Sequence, residues 1–269
     1  MHGLGNDYVV VDNRGECIKE NEVRDLAEKL CRRKFSIGAD GLLLIYNSEN
    51  ADARMRVFNN DGSEAEMCGN GIRSFAKYCY ENNIVRKEVL DVETLAGIKT
   101  AWLTVKGGEV TKVKVNMGKP SFEREAVPMV GEGRCVDETL EVDGMSLRVT
   151  CLSIGNPHCI TFVEDVDSFP VCEVGPKVEN HTYFPNRTNM DFVQVLSRSE
   201  LRVRVWERGC GETLACGTGA CASVIAGNLL QKVDSKAIVR LKGGDLEIEY
   251  DENVWMTGTA EKVYVGRLF

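Results

Sequence analysis

An internal repeat constrains the fold of this chain more than any local pattern does. The segment VFNNDGSEAEMCGNG, residues 57–71, aligns without gaps on VWERGCGETLACGTG, residues 205–219, which lies 148 positions further along. Five of the fifteen aligned positions are identical, including Cys68 with Cys216. Upstream, LGNDYVVVD resembles IGNPHCITF at an offset of 150, which aligns Asn6 with Asn156. Repeated order at a nearly constant offset predicts two homologous halves.

Each half contains strand signals around one helix that begins at Cys-Gly-x-Gly. DYVVVDN, GLLLIYN and ARMRVFN have the composition of strands, and KTAWLTVKGGEVTKVKVNMG predicts a hairpin around its Gly-Gly pair. The helix ACASVIAGNLL is apolar almost all round, which predicts burial on every side. We therefore expect an α/β (α+β) fold with two pseudo-symmetric lobes, each a mostly antiparallel sheet or barrel wrapped around a central helix.

The lobe limits follow from the repeat and from a proline near the middle of the chain. Pro120 marks the change from the first half to the second. We predict an N-terminal lobe of residues 1–117 and a C-terminal lobe of residues 118–259, with the active site in the cleft between them.

Composition describes an ordinary globular protein of the cytoplasm. The formal charge is −8 and no long run of one sign occurs, so nucleic acid and acidic membrane surfaces are not expected partners. No apolar segment approaches the roughly 18 residues that would span a bilayer, and no export signal is visible at the start. The chain has eleven cysteines, three histidines and no C-x-x-C pair, which argues against a disulfide framework or a metal site.

Cys68 and Cys216 both stand where a helix should begin. Unpaired backbone N–H groups and the helix dipole there favour a thiolate and can lower a thiol pKa from about 8.5 to roughly 3.5–7.5. Two equivalent thiols facing one substrate could remove a proton from one face of a carbon acid and return one to the other. Such an inversion needs no cofactor in principle. A single-nucleophile thiol hydrolase and a thiol redox or metal-holding protein remain alternatives.

At these residues the sequence closely resembles diaminopimelate epimerases, which interconvert LL- and meso-diaminopimelate without a cofactor in lysine and peptidoglycan precursor biosynthesis. The resemblance runs through nearly the whole chain, in MHGLGNDYVVVDN, IGADGLLL, FNNDGSEAEMCGNGIRSFAKY, GNPHCITFV, FPNRTNMDFVQV, VRVWERGCGETLACGTGACAS and WMTGTAEKVYVG. Two positions differ from many members of that family: Gly41, where glutamine is common, and Tyr8, where phenylalanine is frequent.

The resemblance implies a role for each site residue. Cys68 and Cys216 would be the acid/base thiols, with His158 and Glu207 as the residues that tune them. The reacting carboxylate and the distal amino acid group of the substrate would be bound by a set of polar groups: Asn6, Asn59, Gly69, Asn70, Asn156, Asn189, Glu207, Arg208, Gly217 and Thr218. The resemblance implies no metal, a small-molecule substrate, and a homodimer as one assembly that the family allows. It also implies that a final strand at about residues 260–269 returns to the N-terminal lobe.

A related cofactor-independent racemase acting on histidine or proline is the nearest alternative within the same superfamily. CGNG in the first motif, where proline-type enzymes have CGHG, argues against that type. Arg208 and the asparagines suit a substrate that carries a second amino acid group. The histidine-type enzyme is less well excluded.

Overall fold

The structure is a computed structural model that describes residues 1–267. The chain divides into two compact units. The first contains Met1–Asn116 and the described residues from Thr257 onward, and the second is Met117–Met256. The predicted lobes, with a cleft between them, stay a prediction.

The first unit is a mixed sheet with two helices. Its helices are α1 (Val23–Cys31), preceded by a 3-10 turn at Glu20–Glu22, and α2 (Gly69–Glu81). Its strands are β1 (His2–Gly3), β2 (Asn6–Asp12), β3 (Gly41–Tyr46), β4 (Ala53–Asn59), β5 (Glu64–Ala65), β6 (Val89–Thr94), β7 (Gly97–Lys106) and β8 (Glu109–Gly118).

The second unit has the same kinds of element. Its helices are α3 (Val171–Glu179) and α4 (Gly217–Leu229), and a 3-10 turn covers Arg124–Ala126. Its strands are β9 (Glu138–Val142), β10 (Met145–Ser153), β11 (Pro157–Phe162), β12 (Asn189–Ser197), β13 (Glu200–Glu207), β14 (Gly211–Thr213), β15 (Lys236–Leu241) and β16 (Gly244–Tyr250). Strand β17 (Val254–Gly258) lies where the second unit ends.

The two units repeat one strand order, which confirms the predicted duplication. In the first unit β2 pairs parallel with β3, β3 antiparallel with β4, β4 parallel with β6, and β6 antiparallel with β7. In the second unit β11, β12, β13, β15 and β16 follow the same sequence of parallel and antiparallel pairings. Helices α1 and α3 each make the connection between two parallel strands, as a parallel pair requires.

A buried helix lies at the centre of each unit. Helix α2 contacts β1, β2, β3, β4 and β7, and α4 contacts β10 to β13, β15 and β16. Every residue of α4 from Gly219 to Gly227 is buried, as the apolar sequence predicts. Among the described residues, no helix is long and apolar enough to cross a membrane.

The strand predicted at about residues 260–269 is not formed over 260–267, and residues 268 and 269 lie outside the described residues. Beyond β17 the chain makes one isolated antiparallel bridge, in which Glu261 and His2 exchange two backbone hydrogen bonds of 2.9 and 2.8 Å. Strand β1 is two residues long and also pairs with β2, so it offers a short edge to this segment. The segment therefore returns to the first unit without extending its sheet.

Helix α3 packs closely on strand β13, whose last residue is Glu207. Gly175 faces the Trp206 ring, and a Cβ at position 175 would lie 2.5 Å from Trp206 Cγ. The Trp206 indole N–H donates a 2.7 Å hydrogen bond to Glu179, at the end of the same helix. This contact holds the end of β13, and with it Glu207, against the helix.

We predict that Gly175→Ala destabilises the protein by about 1–3 kcal/mol, because the added methyl group overpacks the Trp206 contact. The measurement is the urea midpoint of unfolding. Gly15→Ala is the matched control, since the nearest atom to its Cβ would be Cys17 Sγ at 3.7 Å, an ordinary contact. Equal midpoints for the two variants would contradict the close packing of α3 on β13.

Candidate active site

Cys68 is the N-cap of helix α2. Its backbone is extended, with φ −134° and ψ 120°, and its sulfur accepts a 3.3 Å hydrogen bond from the Gly71 N–H. The Gly69 and Asn70 amides follow at the first two positions of the helix, where backbone N–H groups have no partner within the helix. The helix start therefore presents a thiol and anion-binding N–H groups together.

Strand β2 supplies the other groups around Cys68. The Tyr8 hydroxyl lies 2.8 Å from Cys68 Sγ, and Asn6 Oδ1 lies 3.7 Å from the same sulfur. The Asn6 amide donates a 2.9 Å hydrogen bond to Asp40, which fixes its orientation. Asn6, Cys68, Gly69 and Asn70 are thus brought together in the first unit.

Cys216 is the N-cap of helix α4 and repeats the geometry of Cys68. Its backbone is extended, with φ −115° and ψ 112°, and its sulfur accepts a 3.4 Å hydrogen bond from the Gly219 N–H. The Thr218 hydroxyl lies 3.4 Å from Cys216 Sγ. Cys216 is 5% exposed, so this thiol lies in a drier environment than the half-buried Cys68.

A chain of hydrogen bonds leads from Cys216 into the core of the second unit. Thr218 Oγ1 lies 3.0 Å from His158 Nε2, and His158 Nδ1 lies 2.7 Å from Asp191 Oδ2. The Asn156 amide also donates to Thr218 Oγ1, at 3.1 Å. In the tautomer whose Nδ1–H donates to Asp191, Nε2 accepts a hydrogen bond from the Thr218 hydroxyl. The Thr218 oxygen is left to accept from Asn156 and from the Cys216 thiol.

Carboxylates surround Cys216 and change the acidity of the site. Burial raises the pKa of the Cys216 thiol well above its ordinary value, and the nearby Glu207 and Asp191 charges raise it further. Burial also raises the pKa of Glu207, although hydrogen bonds from Thr213 and Cys216 act in the opposite direction. The Thr213 hydroxyl donates to Glu207 Oε1 at 2.5 Å. Burial and the nearby carboxylates thus favour the thiol form of Cys216 over the thiolate.

The remaining predicted residues take different positions. Asn59, at the end of β4, is exposed and donates to Ser63. Asn189 is buried, and its side chain donates to the Pro157 carbonyl and accepts from the Arg208 N–H, both at 2.8 Å. Asn189 therefore holds the backbone at Arg208, while the Arg208 side chain is exposed and donates to the Asn186 carbonyl.

The contacts that two residues make in the site were not predicted from the sequence. Asp191 is fully buried, and its Oδ1 has no hydrogen-bond partner among the described residues. A charged residue in the apolar strand MDFV was a usable signal, because an aspartate is almost never fully buried without a partner. Tyr8 was noted as a departure from the family at a position that borders the pocket, but no sequence pattern places its hydroxyl on Cys68. The described residues contain no cluster of three or more histidine, cysteine, aspartate or glutamate side chains arranged to hold a metal ion.

The fold is shared with a class of solved proteins that includes amino acid racemases and epimerases. A hydroxyproline epimerase from Agrobacterium vitis superposes with a TM-score of 0.69 at 15% identity, covering 96% of this chain and 86% of that one. A PhzF-family phenazine biosynthesis protein from Bacillus anthracis gives 0.68 at 22% identity, covering 96% and 92%. These similarities show the fold.

The chain belongs to the diaminopimelate epimerase family. Residues 1–123 and 150–263 match that family. The diaminopimelate epimerase of Moorella thermoacetica is 55% identical over 99% of this chain and 96% of its own length. That of Pelotomaculum thermopropionicum is 51% identical over 98% and 96%. The protein is thus an isomerase of the epimerase class.

The raised pKa of Glu207 has a consequence for stability. A carboxyl whose folded-state pKa lies above its unfolded value near 4.5 contributes stability below about pH 4.5 and loses it as the pH rises through the folded pKa. We predict that Glu207→Gln gains stability relative to the wild type as the pH rises from about 4 to about 7.5. The urea midpoint of each protein at both pH values measures the difference.

Glu212 is the matched control, since its shift has the opposite sign. Its hydrogen bonds with Arg204 lower its pKa to about 2, so its contribution is lost as the pH falls from about 4.5 toward about 2. Glu212→Gln should therefore lose stability relative to the wild type as the pH rises from about 2 to 4.5. A Glu207→Gln variant that instead loses stability relative to the wild type as the pH rises from about 4 to about 7.5 would contradict the assignment of a desolvated carboxyl.

Proposed function

We propose that this chain interconverts LL- and meso-diaminopimelate by proton transfer at one α-carbon, with Cys68 and Cys216 as the acid and base and with no cofactor. The observation that carries the proposal is the repeated geometry of the two cysteines. Each one caps a helix with its sulfur and is followed by a glycine amide at the first helical position. Family membership supports the choice of substrate.

The reaction needs one thiolate and one thiol. The thiolate takes the α-proton, so that the C–H bond breaks and an S–H bond forms on one face of the carbon. The second thiol then gives its proton to the opposite face, which inverts the centre and leaves a thiolate there. Protons and charge balance without an oxidant or reductant, and the reverse reaction exchanges the two roles.

The helix starts can stabilise the carbanion formed in this reaction. The charge that develops α to the carboxylate spreads onto the carboxylate oxygens, which backbone N–H groups can bind. The amides of Gly69 and Asn70, and those of Gly217 and Thr218, are the donors that we assign to this role. Asn6 would assist from β2, since its side chain lies beside Cys68.

The surroundings of the two thiols support different starting states. Cys68 Sγ lies within hydrogen-bond distance of two groups, the Gly71 N–H and the Tyr8 hydroxyl. Cys216 lies beside Glu207 and at the end of the Thr218–His158–Asp191 chain, which favour a thiol. We assign to His158 and Glu207 the tuning of these protonation states.

The distal amino acid group of the substrate requires a second binding region. Arg208 can hold its carboxylate with two parallel hydrogen bonds, and its guanidinium is exposed. Asn59 and Asn156 can bond to the carboxylate and ammonium groups. We assign Asn189 to the same region, where it also holds the Arg208 backbone through its 2.8 Å hydrogen bond.

The partners follow from the proposed reaction. The substrate is a small molecule, and the activity belongs to lysine and peptidoglycan precursor biosynthesis, which places the protein in the cytoplasm. A homodimer is the assembly that we propose for it.

Incubation of the purified protein with LL-diaminopimelate, without added cofactor, tests the function. We expect conversion to the meso isomer, which is measured by chiral separation of the isomers. Histidine and proline are the comparison substrates, and we expect their racemisation to be at least about 100-fold slower. Inversion of histidine or proline at the higher rate would instead identify the related racemase, and no inversion of any of the three would overturn the proposal.

Cys68→Ser and Cys216→Ser should each lower the rate of inversion by about 100-fold or more, because general acid–base groups contribute about 10²–10⁴-fold. Cys17→Ser is the matched control, since Cys17 is an exposed thiol of the first unit with only a 3.8 Å contact to Gly15. Full activity in either of the first two variants would exclude a two-thiol mechanism. A covalent acyl adduct on one cysteine would favour a thiol hydrolase.

A further inference from the structure

Among the described residues, the Tyr8 hydroxyl makes the shortest side-chain hydrogen bond to the Cys68 sulfur, at 2.8 Å. Tyr8 lies in β2 and is 8% exposed, so water reaches this contact little. A buried tyrosine hydroxyl usually finds a hydrogen-bond partner. Here that partner is the sulfur to which we assign the acid/base chemistry.

Gly41 makes room for the Tyr8 ring. Strands β2 and β3 pair in parallel with Tyr8 opposite Gly41. A Cβ at position 41 would lie 2.9 Å from Tyr8 Cε1 and 2.6 Å from the Phe58 carbonyl oxygen. A side chain at position 41 would therefore move the ring, and the path of the phenol to Cys68 depends on glycine there.

We propose that Tyr8 is a positioning residue for Cys68: its hydroxyl donates a hydrogen bond that orients the sulfur and stabilises its thiolate form. This inference rests on the proposed function, in which Cys68 must act as a base in one direction. The role is distinct from proton transfer, because the Tyr8 hydrogen stays on its oxygen while Cys68 takes the α-proton.

The direction of the hydrogen bond follows from the acidity of the phenol. Burial raises the pKa of Tyr8 well above 10, and the neighbouring Cys68 and Asp40 charges raise it further. Tyr8 therefore keeps its proton over the pH range in which a thiol near a helix start titrates. A phenol O–H is also a better donor than a thiol S–H. The thiolate form of Cys68 gains this donor in addition to the Gly71 N–H.

Charged groups near the pair are engaged elsewhere. Asp40 accepts hydrogen bonds from the Asn6 side chain and from Arg33, and Arg33 also pairs with Asp7 on β2. Arg73, on α2, donates to the Gly69 carbonyl and to Asn70. Asp7 and Asp40 disfavour a thiolate nearby, whereas Arg33 and Arg73 favour one. Tyr8 differs from these groups because its hydroxyl is hydrogen-bonded to the Cys68 sulfur itself, at 2.8 Å.

The repeat shows that this arrangement is particular to the first unit. The offset that aligns Asn6 with Asn156 places Tyr8 against His158. His158 reaches its cysteine through the Thr218 hydroxyl, whereas Tyr8 touches Cys68 directly. Corresponding positions thus carry a neutral donor at one thiol and an imidazole–carboxylate pair at the other. This difference allows the two matched thiols to rest in different protonation states.

The test measures the pKa of the Cys68 thiol without substrate. The rate of alkylation of Cys68 by iodoacetamide is followed against pH on the full chain, with mass spectrometry of the peptide that contains residue 68. Loss of one charge-assisted hydrogen bond in Tyr8→Phe should raise the Cys68 pKa by about 1–2 units. Tyr46→Phe is the matched control, since the Tyr46 ring lies beside Arg56 in the same unit, and it should leave the Cys68 pKa unchanged.

A Cys68 pKa that is the same in Tyr8→Phe and wild type would overturn the proposal, and so would an equal rise in Tyr46→Phe. Gly41→Ala provides a second variant, because its methyl group displaces the Tyr8 ring. Introduced into the wild-type protein, Gly41→Ala should raise the Cys68 pKa. Introduced into Tyr8→Phe, it should have no further effect. A full additional rise in the double variant would contradict the coupling of Gly41 with Tyr8.

Inversion of LL-diaminopimelate gives an independent reading. Tyr8→Phe should lower kcat while leaving KM nearly unchanged, and the acidic limb of the pH profile should move upward with the thiol pKa. A raised KM with an unmoved pH profile would indicate a structural role and overturn the proposal. Since alkylation requires no substrate, a protein that fails to invert diaminopimelate can still show the Tyr8 effect, so the two proposals fail separately.

Discussion

Each unit places a cysteine sulfur at the start of its central helix, where the sulfur accepts a hydrogen bond from a helix N–H. Cys68 receives it from Gly71, and Cys216 receives it from Gly219. Serine, threonine, aspartate and asparagine are the preferred N-caps, and a neutral thiol is a weak acceptor. A cysteine at both helix starts therefore gives up capping strength. What it gains is a titratable group beside N–H donors, at a point where strands on both sides hold the backbone in place.

Around this shared geometry the two units build different environments. Cys68 is half-buried and lies against a phenol and a backbone N–H, whereas Cys216 is buried beside carboxylates. An epimerase needs a base on one face of the substrate and an acid on the other, so two identical thiols in identical surroundings would start in the same state. In the mechanism that we propose, the duplication supplies the matched positions, and the differences between the copies supply the acid and the base.

Much of this could be predicted from the sequence, because it depends on local patterns. The Cys-Gly-x-Gly helix starts, the buried α4 and the two homologous halves all follow from periodicity and from the repeat. The contacts of Asp191 and Tyr8 could not, since they depend on which side chains the sheet places opposite each other. Tyr8 reaches Cys68 only because Gly41 lies across from it, and nothing local to Tyr8 indicates that. The final strand was expected from the family resemblance, and over residues 260–267 it is replaced by a single bridge to the two-residue β1, which offers only a short edge.

The position of solvent deuterium at early conversion tests inversion by two thiols most directly. LL-diaminopimelate is incubated with the protein in deuterated water, and the substrate and product isomers are separated after about 5% reaction. A thiolate that takes the α-hydrogen then carries that hydrogen alone, so it can return only that hydrogen to the face from which it came. The opposite thiol has exchanged with the solvent and delivers deuterium. The two-thiol mechanism predicts deuterium at the α-carbon of the product and almost none in recovered substrate. Equal labelling of both isomers, or a product that retains the substrate hydrogen, would show a single base and contradict that mechanism.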